Sequence, residues 1–235
     1  SVAVTDEFMH AVERNKDYDL INPRSKEVVR RLNAQKVFDE IVTYAWKVGD
    51  PGLIFIDEIN RHNPLSAIGA IEATNPCSEQ PLLPYESCNL GSINVSRFVN
   101  SGSGDVDWER LEAAIWLCVR FLDNVIDVNQ YPLPEIEKMT RANRKIGLGV
   151  MGFAELLITL GIPYDSTDAL SLAEKLMRFV TDEARQCSQA LGLEKGSFPN
   201  FELNSWKGYK PMRNATVTTI APVSYTHLRA HETVL

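Results

Sequence analysis

The chain is short of histidine, of clustered basic residues and of long apolar stretches, and each shortage closes off a class of function. Its 235 residues hold four histidines, and His227 and His231 lie in a terminal run set apart below, leaving His10 and His62. Two histidines are too few for a histidine-built metal centre or proton relay, so metal catalysis by the chain's own side chains is not expected. None of the four cysteines stands in a C-x-x-C pair, which argues against a structural zinc site or a thioredoxin-like motif. No secretory signature is visible, so a reducing cytoplasm is expected in place of a disulfide scaffold. No apolar run approaches the roughly 18–20 residues of a membrane span. The net charge of −7 is spread without a basic cluster, which disfavours nucleic acid or a membrane surface and points to a small substrate.

The two ends suggest a piece of something larger. The chain opens on Ser1 and runs directly into helix-like sequence, so a fragment is expected. Residues Val223 to Leu235 look like translated sequencing-adaptor read-through and are treated as a non-native tail. They hold one Arg and one Glu, so the net charge is the same without them.

What remains reads as one α/β domain without repeats or low-complexity linkers. Thr5 to Val12 is predicted as a short helix capped by Thr5. Lys36 to Trp46 is a second, with Val37, Phe38, Ile41 and Ala45 on one face, ended by Gly49-Asp50-Pro51-Gly52. Leu53-Ile54-Phe55-Ile56 reads as a strand buried on both faces, as in parallel sheets, with Asp57 to Leu65 as its exit loop. Asp107 to Val128 is the strongest helix, its stripe being Trp108, Leu111, Ile115, Cys118, Leu122 and Val125. After Tyr131-Pro132-Leu133-Pro134 a charged helix runs from Glu135 to about Arg144. Ser166 to Leu191 is a long helix with Leu170, Ala173, Met177, Val180, Ala184, Cys187 and Leu191 as its buried stripe.

Asn75-Pro76-Cys77-Ser78-Glu79 concentrates an amide, a thiol and a carboxylate at alternate positions. In extended backbone such positions share a side with a spacing of roughly 6.5–7 Å, and Pro76 favours an extended Asn75. Cys118 and Cys187 fall on helical apolar stripes and read as core. Cys77 and Cys88 lie among Pro76, Pro81, Pro84 and Gly91, and by residue type alone they fit loop thiols as well as reactive ones. Glu135, Glu137, Lys138, Arg141, Arg144 and Lys145 read as a solvated charged face, and Trp108 as core. Gly147, Gly149 and Gly152 satisfy G-x-G-x-x-G, with Asp165 and Asp168 near the place of a ribose-binding acid, so an NAD-binding dehydrogenase stands as an alternative. Against it, Met139 to Lys145 continue a helix where the fingerprint needs a strand.

Several longer words carry a resemblance. They are Asp50-Pro51-Gly52-Leu53-Ile54-Phe55-Ile56-Asp57, Ala73 to Asn94, Phe121-Leu122-Asp123-Asn124-Val125-Ile126-Asp127, Ile146 to Leu157, and Arg213 to Pro222. Together they resemble the large catalytic subunit of ribonucleotide reductase, most closely the adenosylcobalamin-dependent class II enzymes, over Ser1 to Pro222. The resemblance implies a helix-rich part of a ten-stranded α/β barrel and radical reduction of a ribonucleoside di- or triphosphate. It implies Cys77 as the thiyl-radical cysteine, Glu79 as the base for the 3′-hydroxyl, Asn75 as the amide on the sugar hydroxyl, and Cys88 as one of two reducing thiols, its partner lying upstream of Ser1. Adenosylcobalamin, an external dithiol such as thioredoxin, allosteric nucleotides and a homodimer are implied for the whole protein. A class I large subunit served by a separate radical-generating subunit, and a non-catalytic piece, are the other readings. The family's usual residue after the radical cysteine is Gly, and here Ser78 stands there.

Overall fold

The computed structural model describes residues 1–100, 102, 104–203, 208 and 210–221; Pro222 and the terminal run lie outside the described residues. The chain divides into two compact units, residues 1–63 with 70–83, and residues 64–69 with 84 onward.

In the first unit β1 (Val2–Val4) leads into α1 (Asp6–Glu13). Thr5 caps that helix as expected, its hydroxyl accepting from the Phe8 amide at 3.1 Å. β2 (Asp17–Ile21) and β3 (Val28–Asn33) pair antiparallel. Asn33 then caps α2 (Ala34–Val48), which Gly49 ends in the left-handed conformation. β4 (Leu53–Phe55) lies parallel to β1, Val2 facing Leu53 and Val4 facing Phe55. A core of Val4, Phe8, Val12 and Ala34 holds these elements, with Tyr18 set edge-on to Phe8 at 4.9 Å.

Two expectations fail here. β4 is not buried on both faces: Ile54 is buried and Leu53 packs against the core, but Phe55 is half-exposed at the end of a described sheet of only two strands. Ile56 and the expected exit loop instead form α3 (Ile56–Arg61). Four apolar residues cannot distinguish a strand from a strand that turns into a helix. Long-range polar contacts favour the helix, since Asp57 Oδ2 accepts from the Asp6 amide at 2.8 Å and Arg61 pairs with Asp6, while the Arg61–Glu58 pair lies within the helix itself. The unit closes with the antiparallel pair β5 (Ala73–Thr74) and β6 (Pro81–Leu82).

The second unit is built around β7 (Asn89–Asn94). After the small antiparallel pair β8 (Val99–Asn100) and β9 (Asp105–Val106) come α4 (Trp108–Val128) and α5 (Pro134–Asn143). β10 (Ile146–Met151) then lies parallel to β7, from Ile146 opposite Asn89 to Met151 opposite Asn94. Residues 216–219 take its other edge, with the Leu148 amide donating to Val217 O at 2.8 Å and Thr219 N to Leu148 O at 3.1 Å. Flanked on both sides, β10 is buried from Ile146 to Gly149. Parallel neighbours joined through helices are the α/β arrangement expected.

α6 (Phe153–Leu160) and α7 (Thr167–Lys195) complete the unit. The buried stripe of α4 is Leu111, Ile115, Val119, Leu122 and Ile126, so Cys118 and Val125 sit at its margin. In α7 the stripe follows expectation from Val180 onward but starts on Ala169 and Leu176, leaving Leu170 exposed. Two apolar series one residue apart run through that half of the helix, and periodicity cannot choose between them. Trp108 packs edge-on against Phe179 at 5.1 Å, as its core reading required. No helix among the described residues is long and apolar enough to cross a membrane.

Candidate active site

β5 and β6 present residues 75–80 as a six-residue loop, and its backbone is a turn and not the expected extended segment. The Ser78 amide donates to Asn75 O at 3.0 Å, which closes a four-residue turn over Pro76 and Cys77. Proline at the second position of such a turn supplies the φ it needs, so Pro76 acts as a turn former where an extended role was expected. The Asn75 amide donates to Gln80 O at 3.3 Å, and Asn75 Oδ1 accepts from the Gln80 amide at 3.0 Å, tying the mouth of the loop. With its oxygen committed, Asn75 turns its NH2 group into the half that can donate to a ligand.

Ser78 has φ of 68°, in the left-handed region that favours glycine. The departure at this position is thus a serine holding a glycine's conformation, and the turn is retained despite it. Cys77 and Glu79 on either side are half-buried, and Glu79 Oε2 is closed off from solvent. A cleft of about 390 Å³ lined by Ala3, Ile54, Glu72 and Thr74 reaches Asn75 and Pro76.

Cys88 belongs to the second unit, one residue ahead of β7, and is half-buried with its Sγ 3.6 Å from Asn89 O. Two residues earlier Glu86 enters a polar network that the sequence did not disclose. Its carboxylate accepts from Lys145 Nζ at 2.7 Å and from Asn143 Nδ2 at 2.8 Å. Arg144 and Lys145, expected on a solvated face, are only 4% and 2% exposed, whereas Glu135, Glu137 and Lys138 are exposed as expected. The helix ends at Asn143, and Arg144, with φ of 47°, turns both side chains inward ahead of the buried strand. One available signal was that Lys145 stands directly before an apolar run.

Arg144 reaches a second buried cluster. Its guanidinium donates to Asp123 Oδ1 at 2.9 Å and Asp127 Oδ1 at 2.7 Å, while Arg213 Nε donates to Asp123 Oδ2 at 3.3 Å and Asn214 Nδ2 to Asp123 Oδ1 at 3.0 Å. Asp123 is fully buried, which its place in an amphipathic helix gave no reason to expect. The Arg144 guanidinium, hydrogen-bonded to Asp127, holds that carboxyl below the usual carboxylate range. Two of the words that carried the resemblance, Phe121 to Asp127 and Arg213 to Pro222, meet at this carboxylate.

The glycine motif has no phosphate loop. Gly147, Gly149 and the residues between lie inside β10, and only Gly152 stands at the step into α6, so the first two glycines are not in the strand-to-helix turn where a dinucleotide fingerprint requires them. A Cβ on Gly149 would run into the Thr219 carbonyl oxygen, and one on Gly152 into Asn94 Oδ1. These glycines serve close packing of neighbouring backbone, and the dehydrogenase alternative is withdrawn. Cys118 and Cys187 are structural thiols: burial pushes Cys118 up and Cys187 up to about 11, so both stay protonated near neutrality.

A family model for the ribonucleotide reductase barrel domain matches residues 1–230. The vitamin B12-dependent ribonucleoside-diphosphate reductase of Thermoplasma acidophilum is 54% identical over 224 residues, which are 94% of this chain and 29% of that protein. That of Mycobacterium tuberculosis is 54% identical over 233 residues, 99% of this chain and 33% of that protein. The chain therefore spans about a third of the length of these relatives. The class Id ribonucleotide reductase alpha subunit of Actinobacillus ureae shares the fold, with a TM-score of 0.72 at 24% identity over 94% of this chain and 39% of that one. A match that runs through every described element, joined to such identity with the Thermoplasma and Mycobacterium proteins, means that this chain belongs to the ribonucleotide reductase barrel-domain family.

Proposed function

We propose that residues 1–222 are part of the catalytic barrel of a ribonucleotide reductase and hold its sugar-reducing residues. The observation that carries this reading is the 75–80 turn, which sets an amide of fixed orientation, a thiol and a carboxylate within five residues. In the proposed reaction a thiyl radical on Cys77 takes the ribose 3′-hydrogen. Glu79 accepts the 3′-hydroxyl proton while the 2′-oxygen leaves as water. The Asn75 NH2 donates to the sugar oxygen that gains charge. Cys88 and a partner thiol supply two electrons and two protons and close into a disulfide. Cys77 returns the hydrogen, so ribonucleotide and two thiols become deoxyribonucleotide, disulfide and water. An external dithiol such as thioredoxin resets the pair.

Dependence on adenosylcobalamin is proposed from the names of the Thermoplasma and Mycobacterium relatives. The cleft beside Asn75, about 390 Å³, is at the small end of the roughly 300–1,000 Å³ typical of small-molecule sites, and a corrin needs more. The same reading expects a di- or triphosphate substrate, allosteric nucleotides, a homodimer and a cytoplasmic setting for the whole protein. It takes residues 223–235 as foreign, although the family match runs to residue 230; resequencing across the junction tests this.

The full-length protein is to be assayed for deoxyribonucleotide formation with adenosylcobalamin and a dithiol. Turnover that vanishes in Cys77→Ser is expected. Turnover that survives this change overturns the radical assignment, and turnover that needs a separate metal-bearing subunit in place of cobalamin moves the protein to class I.

A further inference from the structure

Buried polar groups the proposed chemistry does not use are concentrated beside Cys88. Glu86 and Lys145 form an ion pair at 2.7 Å whose side chains are 0% and 3% exposed. Removing two charges from water is costly, and an apolar pair of the same volume would often be as stable. Such a pair is a poor device for stability alone and a good one for fixing geometry, because it tolerates only one arrangement. Asn143 adds a second fixed point, bonded to Glu86 on one side and accepting from Asn200 Nδ2 at 2.8 Å on the other.

The neighbours of Cys88 are pinned in the same way. Tyr85 has φ of 62°, so the chain bends sharply just before Glu86. Ser87 Oγ lies 2.7 Å from Thr140 Oγ1 on α5, and Asn89 Nδ2 donates to Leu122 O on α4 at 3.3 Å. Residues 86, 87 and 89 are thus each tied to a different point 33 to 59 positions away along the chain. The residue between them is the thiol. A sulfur that must meet both a partner thiol and an external dithiol needs a fixed backbone beneath it.

We propose that the buried Glu86–Lys145 pair, with Asn143, is a positioning device that holds the Cys88 backbone in the one arrangement from which its thiol acts as a reductant. The inference rests on the reading of Cys88 as a reducing thiol. Glu86 and Lys145 are positioning residues in it.

The test uses the full-length protein, pre-reduced and then freed of dithiol, so that one round of product reports the internal thiols alone. Glu86→Gln and Lys145→Met are each expected to slow that single round by about tenfold or more, with KM for the nucleotide within about twofold. Alkylation of Cys88 by iodoacetamide, followed on its peptide by mass spectrometry, is expected to change by at least about threefold. Lys145→Arg, which keeps the charge, is expected to recover most of both. A purely structural pair would lower the melting temperature while leaving alkylation and the single round unchanged in the folded protein, and that result overturns the inference. Should Glu86→Gln and Lys145→Met not fold, Thr140→Ala removes a milder anchor. A two- to threefold change in Cys88 alkylation is then expected, and no change refutes the proposal. Cys88→Ser separates the two levels. Full activity there removes the reading of Cys88 and the inference with it, whereas a dead Cys88→Ser beside a normal Glu86→Gln removes the inference alone.

Discussion

The segments that carry Cys77 and Cys88 are held by opposite means. The first is a local device: Asn75, Ser78 and Gln80 bond to one another across three to five positions, and Pro76 supplies the bend. The second is a remote device, in which Glu86, Ser87 and Asn89 are tied to side chains and backbone on α4, on α5 and ahead of β10. A local turn forms wherever its own residues allow it and tolerates change around it. A remote anchor exists only when the rest of the unit is folded, and it fails when any partner is lost. The comparison predicts that damage to the second unit spreads and damage to the turn stays put.

Activity gives the largest expected contrast. Cys77→Ser, which keeps the turn and removes the sulfur, should lower deoxyribonucleotide formation by about 10³-fold or more, as loss of a reacting group does, while the melting temperature stays close to the parent value. A large fall in stability would show that the turn is less self-contained than its hydrogen bonds indicate.

Stability should answer most strongly at Asp123. Asp123→Ala leaves the buried Arg144 and the part-buried Arg213 without their shared carboxylate, and breaking a buried pair in this way costs about 3–5 kcal/mol. Chemical denaturation of the parent and variant measures it, and a loss under about 1 kcal/mol would mean the cluster is better hydrated than its burial implies. Gly149→Ala should cost about 1–3 kcal/mol, since the new methyl meets the Thr219 backbone and an overfilled core of this kind pays in displaced strands.

Ser78 gives the smallest change. Ser78→Gly relieves a left-handed φ but frees the unfolded chain, so the two effects, each about 0.5–1 kcal/mol, should nearly cancel. Ser78→Val, with a branched side chain at the same φ, should destabilise by about 1–2 kcal/mol. Equal stability for all three would show that the turn can relax out of the left-handed region.

The pH dependence sharpens the same contrast. Asp127 titrates below its unfolded value because the Arg144 guanidinium stabilises its charged form. A depressed folded pKa means that the stabilisation is complete above the unfolded value of about 3.9 and is lost as pH falls through the lower folded value. The stability difference between the parent and Asp127→Asn should therefore shrink steadily from about pH 4 downward, as followed by denaturant midpoints. A constant difference would place the effect in packing and not in charge.

How far the sequence could be read follows from the same distinction. Local features were legible: the Thr5 cap, the Gly49 stop, the extent of α4, the start of α7, which runs on to Lys195 beyond the expected Leu191, and the buried position of Cys187 on its stripe. The words from Ala73 to Asn94 and beyond pointed to the family that the comparisons then showed. Alternation of Asn75, Cys77 and Glu79 was visible but was assigned to the wrong backbone, because Pro76 fits an extended segment and the second position of a turn equally well. Arg144 and Lys145 were placed in solvent because composition cannot report a partner such as Glu86, 59 positions away for Lys145.

By itself, then, the sequence determined α1, α2, α4, α5 and most of α7, the residue types at the turn and the membership of the chain in its family, since each depends on neighbours within a few positions or on whole words. Tertiary structure alone decided that the glycine motif is a buried strand, that Ser78 holds a left-handed conformation, and that four charged residues, Glu86, Asp123, Arg144 and Lys145, turn inward. The reason is physical: a buried charge or a glycine without room for a methyl is defined by atoms from distant parts of the chain, and those are brought together only on folding.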